Sequence, residues 1–187
     1  QWEMAGVFNA ENALAALLAA RHAGVPLDVG CDALSRFQGV RRRLELRGTV
    51  AGVAVYDDFA HHPTAIAATI AALRGRMGDA GRLMAVLEPR SNTMKLGVHQ
   101  QTLGASLEEA DQALVFAPGD IGWDVATALA GKAAVYADMD ALLQDLVQSL
   151  QAGDQVLVMS NGAFAGIHGR LLAEMARRDA EKKGDSV

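Results

Sequence analysis

Short apolar runs alternate with helix-forming segments along most of the chain. Runs of four or five apolar residues bounded by turn-forming residues are typical of buried strands, and the segments between them favour helices. The strands are predicted at 53–56, 83–87, 113–116, 133–136 and 156–159. The helices that follow them are predicted near 63–73, 103–110, 125–129, 139–150 and 164–178. This alternation predicts an α/β fold, a mostly parallel sheet with helices on both faces.

The two ends of the chain have different patterns. Ala- and Leu-rich residues predict a helix at 9–23 and a shorter one at 28–36, separated by a Gly-Val-Pro sequence that stops the first. The apolar and β-branched residues 44–49 precede Gly52 and the strand after it, which indicates a β-hairpin or meander. The polar and charged residues 179–187 predict a frayed tail.

Composition excludes several classes of protein. The chain has 187 residues, 51% of them hydrophobic, which is enough for one core and too apolar for a disordered chain. Its net charge of −5 gives no basic field for nucleic acid or an anionic membrane. The single cysteine, Cys31, fits a reducing compartment such as the cytoplasm.

The sequence shows no membrane-spanning or secretory segment. No apolar run approaches the roughly 20 residues that cross a bilayer. The first residues, Gln1-Trp2-Glu3-Met4, lack the basic and then apolar pattern of a signal peptide. Because there is no initiator methionine, we expect the chain to be a piece of a longer protein.

The segment 57–63 carries two acids and two histidines between a strand and a helix. Open α/β sheets bind ligands at this end of their strands, and the following helix N-terminus suits a phosphate or carboxylate. Asp58 could accept hydrogen bonds from ribose hydroxyls, and His61 or His62 could contact a base or phosphate. Alternatively, Asp57 or Asp58 caps the helix and the histidines are solvated. No metal site is expected, because adjacent histidines point apart and no third ligand is evident.

The loop 88–97 follows the strongest predicted strand. Arg90 can bind a carboxylate with two parallel hydrogen bonds, and Lys95 adds a second cation. Such groups suit an acidic, peptide-like ligand, unless the loop is solvated and Arg90 pairs with Glu88. The neutral donors of the loop are Ser91, Asn92 and Thr93.

The loop 160–168 begins with Ser160 and Asn161 and is rich in small residues, so it can expose backbone N–H groups to an anion. The chain contains no dinucleotide-binding G-x-G-x-x-G, no phosphate-binding G-x-x-x-x-G-K-[ST], no H-E-x-x-H and no G-x-S-x-G sequence. We therefore expect no self-sufficient catalytic apparatus and no catalytic residue in this chain.

Two further groups lie nearer the start of the chain. Asn9 and Asn12 share one face of the first predicted helix, although Asn9 would also suit the N-cap. Arg41-Arg42-Arg43 directly precede the strand predicted to start near residue 44. They are interpreted either as a solvated surface or as a loose phosphate contact. They are too few, and lack the interleaved aromatic residues, for a nucleic-acid site.

Four strings occur in order along the chain: Asn9-Ala-Glu-Asn12, Gln38-Gly-Val-Arg-Arg-Arg-Leu-Glu45, Asp57-Asp-Phe-Ala-His-His-Pro63 and the loop 160–168. In this order they resemble the Mur ligase family, the ATP-dependent amide-forming enzymes of peptidoglycan assembly. The resemblance implies a C-terminal Rossmann-like domain at 37–178, preceded at 1–36 by the last helices of a central ATPase domain and followed by a flexible tail at 179–187.

The resemblance also implies roles at matching positions. The Asn9 and Asn12 pair matches residues beside the adenine, and Arg43 matches an arginine near the phosphates. Asp58 matches the aspartate that holds the ribose, while Phe8 replaces a histidine and could stack on the base. The implied ATP-binding residues are Asn9, Asn12, Arg43, Asp58 and His61.

The strings 88–97 and 159–162 are most similar to the family member that joins UDP-N-acetylmuramate to the tripeptide L-Ala-γ-D-Glu-meso-diaminopimelate. These two substrates and the protein's own upstream domains are the implied partners, in a bacterial cytoplasm, with no nucleic acid or membrane. ATP and Mg²⁺ are the implied cofactors, held mainly by the missing central domain, so this piece alone is not expected to turn over. The implied peptide-binding residues are Arg90, Ser91, Asn92, Lys95, Ser160 and Asn161.

Two alternatives remain open at this point. One is the family member that adds L-alanine to UDP-N-acetylmuramate. The other is a Rossmann-like binding domain without catalysis.

Overall fold

A six-stranded sheet organises the residues that the computed structural model describes, which are 4, 6–78, 80–119 and 121–184. The first two strands are antiparallel and all other neighbours are parallel, in the order β1-β2-β6-β3-β4-β5. The strands are β1 (Glu45–Val50), β2 (Val53–Asp58), β3 (Leu83–Leu87), β4 (Gln112–Phe116), β5 (Ala134–Tyr136) and β6 (Gln155–Met159). The mostly parallel α/β sheet is therefore confirmed.

Helices fill most of the connections. The longer ones are α1 (Val7–His22), α2 (Leu27–Ser35), α3 (Pro63–Met77), α7 (Met139–Ser149) and α8 (Ile167–Gly184). The one-turn helices are α4 (Asn92–Lys95), α5 (Gln100–Leu103) and α6 (Val125–Ala128), with 3₁₀ turns at Ala105–Leu107 and Phe164–Gly166.

The two faces of the sheet carry separate apolar clusters. Leu83, Ala85 and Leu87 of β3 point to the cluster covered by α3 and the short helices, whereas Met84 and Val86 point to the cluster covered by α7 and α8. All five side chains are buried, which is why this strand reads as a continuous apolar run rather than an alternating one.

The hairpin and the first crossover helix form where their turn residues predict them. Ala51 and Gly52 have φ of 50° and 78°, and two left-handed residues make the kind of turn whose twist suits two antiparallel strands. Helix α3 places Pro63 at its first position, where no N–H is needed, and ends at Gly78 with φ of 60°.

Three predicted boundaries are wrong. The helix expected at 103–110 is replaced by α5, a 3₁₀ turn and a non-helical end, so the segment is divided into single turns. Helix α1 begins after Gly6, so Asn9 lies inside its first turn and is not the N-cap. Helix α8 continues to Gly184 and takes in the first part of the expected tail, while 185–187 lie outside the described residues.

Candidate functional site

The carboxyl ends of three strands lie level at the middle of the sheet. Asp58 of β2 pairs with Met159 of β6, which pairs with Leu87 of β3. The helices after β2 and β3 cover one face, whereas α8 after β6 covers the other. The loop after β6 therefore diverges from the loops after its two neighbours, β2 and β3, and such a switch point is where open α/β sheets bind ligands.

Asp58 holds the loop before β1 against the end of β2. The side chain is buried, with 1% of the residue exposed. Its Oδ2 accepts the Leu44 N–H at 2.8 Å, and its Oδ1 accepts the Ala60 N–H at 2.7 Å and the Thr69 hydroxyl at 3.4 Å. Burial raises the pKa of Asp58, although these donors and Arg43 act in the opposite direction. The carboxylate is enclosed and engaged with the backbone, and the expected contact of Asp58 with a ribose stays a prediction.

The loop before β1 is strained and fixed at several points. Arg42 and Leu44 have φ of 58° and 48°, a conformation that non-glycine residues adopt at a cost of about 1–2 kcal/mol each. The Arg42 N–H donates to Glu45 Oε2 at 2.8 Å, and its carbonyl oxygen accepts the Phe59 N–H at 2.9 Å. Between the two strained residues, Arg43 is exposed. The strain is offset by contacts that leave Arg43 available to a ligand.

Arg42 joins the loops at the ends of β2 and β6. Its Nε lies 3.4 Å from Asp57 Oδ1, and its Nη2 donates to the carbonyl oxygen of Ser160. The guanidinium carbon lies 5.0 Å from the centre of the Phe59 ring, within cation–π range. His168 Nε2 lies 3.3 Å from the same Asp57 oxygen.

Asp57 is an ion-pair centre rather than a helix cap. Burial acts to raise the pKa of Asp57, but His168 and Arg42 outweigh it and the pKa is lowered. Sequence reasoning named these residues without joining them, because nothing local indicates that a strand end, a loop and a helix meet. The sequence indicated only that each of these residues lies at or next to an end of a predicted strand or in the loop beyond it.

A cavity of about 790 Å³ lies between α1, the end of α2 and the loop before β1. Asn9, which is buried, and Arg43 both line it, together with Arg76, with Arg36, which is paired with Asp32, and with the carboxylate of Glu45. An amide with several guanidinium groups suits an anionic ligand with a polar ring. Asn12 is exposed and does not belong to the lining of this cavity.

Phe8 faces a different cavity. It lines a space of about 660 Å³ between α1 and α3, together with Ala68 and Ala72. Phe8 is not among the residues that line the cavity beside Asn9, so it is not placed to stack on a base held there.

The histidines after β2 have local roles. His62 is the N-cap of α3, where its Nδ1 accepts the Thr64 N–H at 3.3 Å, and its ring packs edge-on against His99 at 4.5 Å. The interpretation that Asp57 or Asp58 caps this helix is wrong. His61 Nδ1 lies 2.9 Å from the Phe59 carbonyl oxygen, and the side chain does not reach the cavity beside Asn9.

The loops after β3 and β6 are bonded to each other. The Ser160 hydroxyl donates to Glu88 Oε2 at 2.5 Å and accepts the Gly162 N–H at 2.9 Å. The Glu88 N–H donates to the Met159 carbonyl oxygen at 3.1 Å. Ser160 is 1% exposed, and its expected direct contact with a peptide stays a prediction. In this structure it fixes the spacing of the two loops. Glu88 is bonded to Ser160 and not to Arg90, the pairing that the solvated alternative required.

Arg90 and Lys95 line one pocket at the carboxyl end of β3. The pocket measures about 220 Å³, and Glu88 contributes its acidic group. The apolar part of the lining is Pro89, Phe116, Pro118 and Ile121. Two cations, one carboxylate and an apolar wall suit a ligand that carries carboxylates on an aliphatic chain.

The remaining predicted peptide-binding residues, Ser91, Asn92 and Asn161, are not part of the lining of this pocket. Ser91 is the N-cap of α4 and accepts the Met94 N–H at 3.4 Å, and the exposed Asn92 is the first residue of the helix. Asn161 is half-buried, and its Oδ1 has no hydrogen-bond partner within the described part of the chain. Trp123, which sequence reasoning missed, donates from Nε1 to the Met94 carbonyl oxygen at 2.6 Å and so fixes α4.

The described residues contain no metal site, no disulfide and no membrane-spanning helix. None of their clusters of three or more His, Cys, Asp and Glu is arranged to hold a metal ion. Cys31 is free and exposed. Over the same ranges, every helix is too short or too polar to cross a bilayer.

Comparison with known proteins identifies the family. Residues 42–162, more than half of the chain, match the family described as Mur ligase, glutamate ligase domain. The chain belongs to the Mur ligase family. The matched region of this Mur ligase chain starts in the strained loop before β1 and ends in the loop after β6, so it takes in both loops that Arg42 connects.

Individual relatives agree with this assignment. The UDP-N-acetylmuramate–L-alanyl-gamma-D-glutamyl-meso-2,6-diaminoheptandioate ligase of Escherichia coli K12 is 50% identical over 181 residues, 95% of this Mur ligase chain and 40% of the relative. The UDP-N-acetylmuramate–L-alanine ligase of Mycolicibacterium smegmatis is 36% identical over 184 residues, 93% of this chain and 38% of that relative. The crystal structure of a murein peptide ligase from Psychrobacter arcticus superposes with a TM-score of 0.75 at 40% identity, covering 94% of this chain and 38% of that one.

This Mur ligase chain therefore spans about 40% of the length of the curated relatives it matches.

Proposed function

We propose that the chain is the C-terminal part of an ATP-dependent ligase that joins UDP-N-acetylmuramate to the tripeptide L-Ala-γ-D-Glu-meso-diaminopimelate, an activity of peptidoglycan recycling. In this proposal the chain binds and orients the tripeptide and closes over the nucleotide. The catalytic apparatus lies in upstream domains, so the fragment alone is inactive.

One observation carries the choice of acceptor. Arg90 and Lys95 line a single pocket beside Glu88, on a loop bonded to the end of β6. The tripeptide carries several carboxylates and an aliphatic chain, whereas L-alanine has one carboxylate, adjacent to its reacting amine. The higher identity to the tripeptide ligase, 50% against 36%, supports the same choice.

The cavity beside α1 supports a nucleotide partner. Asn9 and Arg43 line it, and its three arginines outnumber its one carboxylate, Glu45, among the described residues, so the lining fits a base and phosphates. When bound, ATP supplies the phosphoryl group that activates the muramate carboxylate for attack by the tripeptide amine. Arg43 would hold phosphate oxygens, and we assign Mg²⁺ to the upstream domain.

The residues of this chain would then act mainly by placement. Arg90 and Lys95 hold the carboxylates of the tripeptide, so that its free amine is directed at the activated carboxylate. Orientation of this kind contributes up to about 7–11 kcal/mol in well-placed reactions. Closure of the chain over the nucleotide would also exclude water, which otherwise hydrolyses an activated acyl group.

We also propose that residues 1–36 complete the central domain and that 37–178 form the C-terminal domain, in a cytoplasmic enzyme. Helices α1 and α2 pack on each other, and Asn9 is their single buried residue within the described part of the chain. Helices with so little buried surface are not a folding unit on their own. This supports their assignment to an upstream domain.

The L-alanine ligase remains the second candidate, since a relative of that name is 36% identical. Competition separates the two. The full-length ligase is given equal amounts of tripeptide and L-alanine with UDP-N-acetylmuramate and ATP, and the two products are measured by mass spectrometry. We expect at least about tenfold more tripeptide product. An excess of the L-alanine product would overturn the proposal.

A further inference from the structure

Arg90 crosses from the loop after β3 and lies directly over Gly162 in the loop after β6. A Cβ atom built on Gly162 would lie 2.5 Å from Arg90 Nη1, 2.6 Å from Cδ and 2.9 Å from Cζ. Separations this short are not tolerated between non-bonded atoms. Any side chain at residue 162 would therefore displace the guanidinium group.

The backbone does not need glycine at this position. Gly162 is absent from the residues with positive φ, whereas Gly166, in the same loop, has φ of 67° and no neighbour that a Cβ would meet. The reason for glycine at residue 162 is the space above it and not its conformation.

The loop below Arg90 is also held in place. The Gly162 N–H donates to Ser160 Oγ at 2.9 Å, and that hydroxyl donates to Glu88 at 2.5 Å. Since these bonds anchor the backbone, a substitution would move the long side chain of Arg90 rather than the loop.

We infer that Gly162 is a positioning residue, which sets the direction of the Arg90 guanidinium toward the acceptor. This inference rests on the proposed function, in which Arg90 binds a carboxylate of the tripeptide. Two parallel hydrogen bonds to a carboxylate require a fixed direction of the planar guanidinium group. Gly162 provides it by letting the Arg90 side chain lie flat on the opposite loop.

The test measures KM for the tripeptide in the full-length ligase. Three variants are compared with the unmodified enzyme: Gly162→Ala, Arg90→Ala and the double variant. We expect Gly162→Ala to raise this KM about tenfold, because the variant loses part of the hydrogen bonding between Arg90 and a carboxylate. KM for ATP should change less than about twofold. In the Arg90→Ala background the same substitution should change KM less than about twofold.

The matched control is Gly169→Ala. Gly169 lies in α8, its φ is not positive and a Cβ there meets nothing within 4 Å. Its KM values should equal those of the unmodified enzyme. A crystal structure of the Gly162→Ala variant gives a second readout, with Arg90 moved away and the bond between Ser160 and Glu88 retained.

The outcomes separate this inference from the proposed function. If Arg90→Ala raises KM but Gly162→Ala does not, or acts equally in both backgrounds, the inference is overturned and the function stands. If Arg90→Ala leaves KM for the tripeptide unchanged, the acceptor role of Arg90 is overturned together with the inference. A variant structure with Arg90 still over residue 162 would also overturn the inference.

Discussion

Asp58→Ala is expected to lower the free energy of unfolding of the chain by about 2–5 kcal/mol. The substitution leaves the N–H groups of Leu44 and Ala60 buried without an acceptor, and each such group costs about 1–3 kcal/mol. The strained loop before β1 also loses the contact that offsets its left-handed residues. Because that loop presents Arg43, KM for ATP should rise in the full-length ligase. Urea denaturation and steady-state kinetics measure the two effects.

Asp57→Ala is the matched control for this prediction. The two carboxylates are neighbours and both are buried, but Asp57 contacts only the side chains of Arg42 and His168 among its described partners. Its removal should cost less, about 1–3 kcal/mol, because no backbone N–H group loses its acceptor and Arg42 keeps its bond to the Ser160 carbonyl oxygen. Equal losses of stability for the two variants would contradict the role given to the backbone donors.

Asp154→Ala is expected to lower the free energy of unfolding by about 2–4 kcal/mol. Asp154 is buried at the amino end of β6 and accepts hydrogen bonds from Arg82 Nε at 3.1 Å and Nη2 at 2.5 Å, and from the Gln151 N–H at 2.8 Å. These bonds tie β6 to the start of β3. The loss is less than for a fully buried pair, because the Arg82 side chain is 38% exposed.

The same carboxylate gives the chain a defined response to acid. Burial acts to raise the pKa of Asp154, but Arg82 and the Gln151 N–H outweigh it, so the pKa is lowered. A lowered folded-state pKa contributes stability that is present above the unfolded pKa of about 3.9 and is lost as pH falls through the folded value. Denaturation below pH ~4 should therefore be less steep for Asp154→Asn. Asp140→Asn, in an exposed pair with Arg170, should follow the unmodified chain.

Local pattern predicts the sheet well because its strands are buried on both faces. The strand at 83–87 and the start of α3 at Pro63 need only an apolar run and a turn-forming sequence, so both are confirmed. The helix expected at 103–110 is wrong because that prediction also used local pattern alone. Its Ala and Leu residues favour a helix only where tertiary contacts do not intervene. There, packing of Leu103 and Leu107 under α3 selects single turns.

The candidate site is harder to predict from the sequence than the fold is. Arg90 and Lys95 could be found, because cations after a strand indicate an anion site. The bond between Arg42 and Ser160 joins residues 118 positions apart, and no spacing rule connects them. The sequence shows the Asp58 carboxylate but not the backbone N–H groups that surround it in the fold.

The most direct test of the central claim, that the tripeptide binds across the loops after β3 and β6, is a titration of the ¹⁵N-labelled chain followed by amide NMR shifts. We predict shifts for Arg90, Ser91 and Gly162, with L-alanine at the same concentrations leaving them unchanged. Shifts confined to residues 35–46, beside the proposed nucleotide cavity, or no shifts at millimolar tripeptide, would contradict the account.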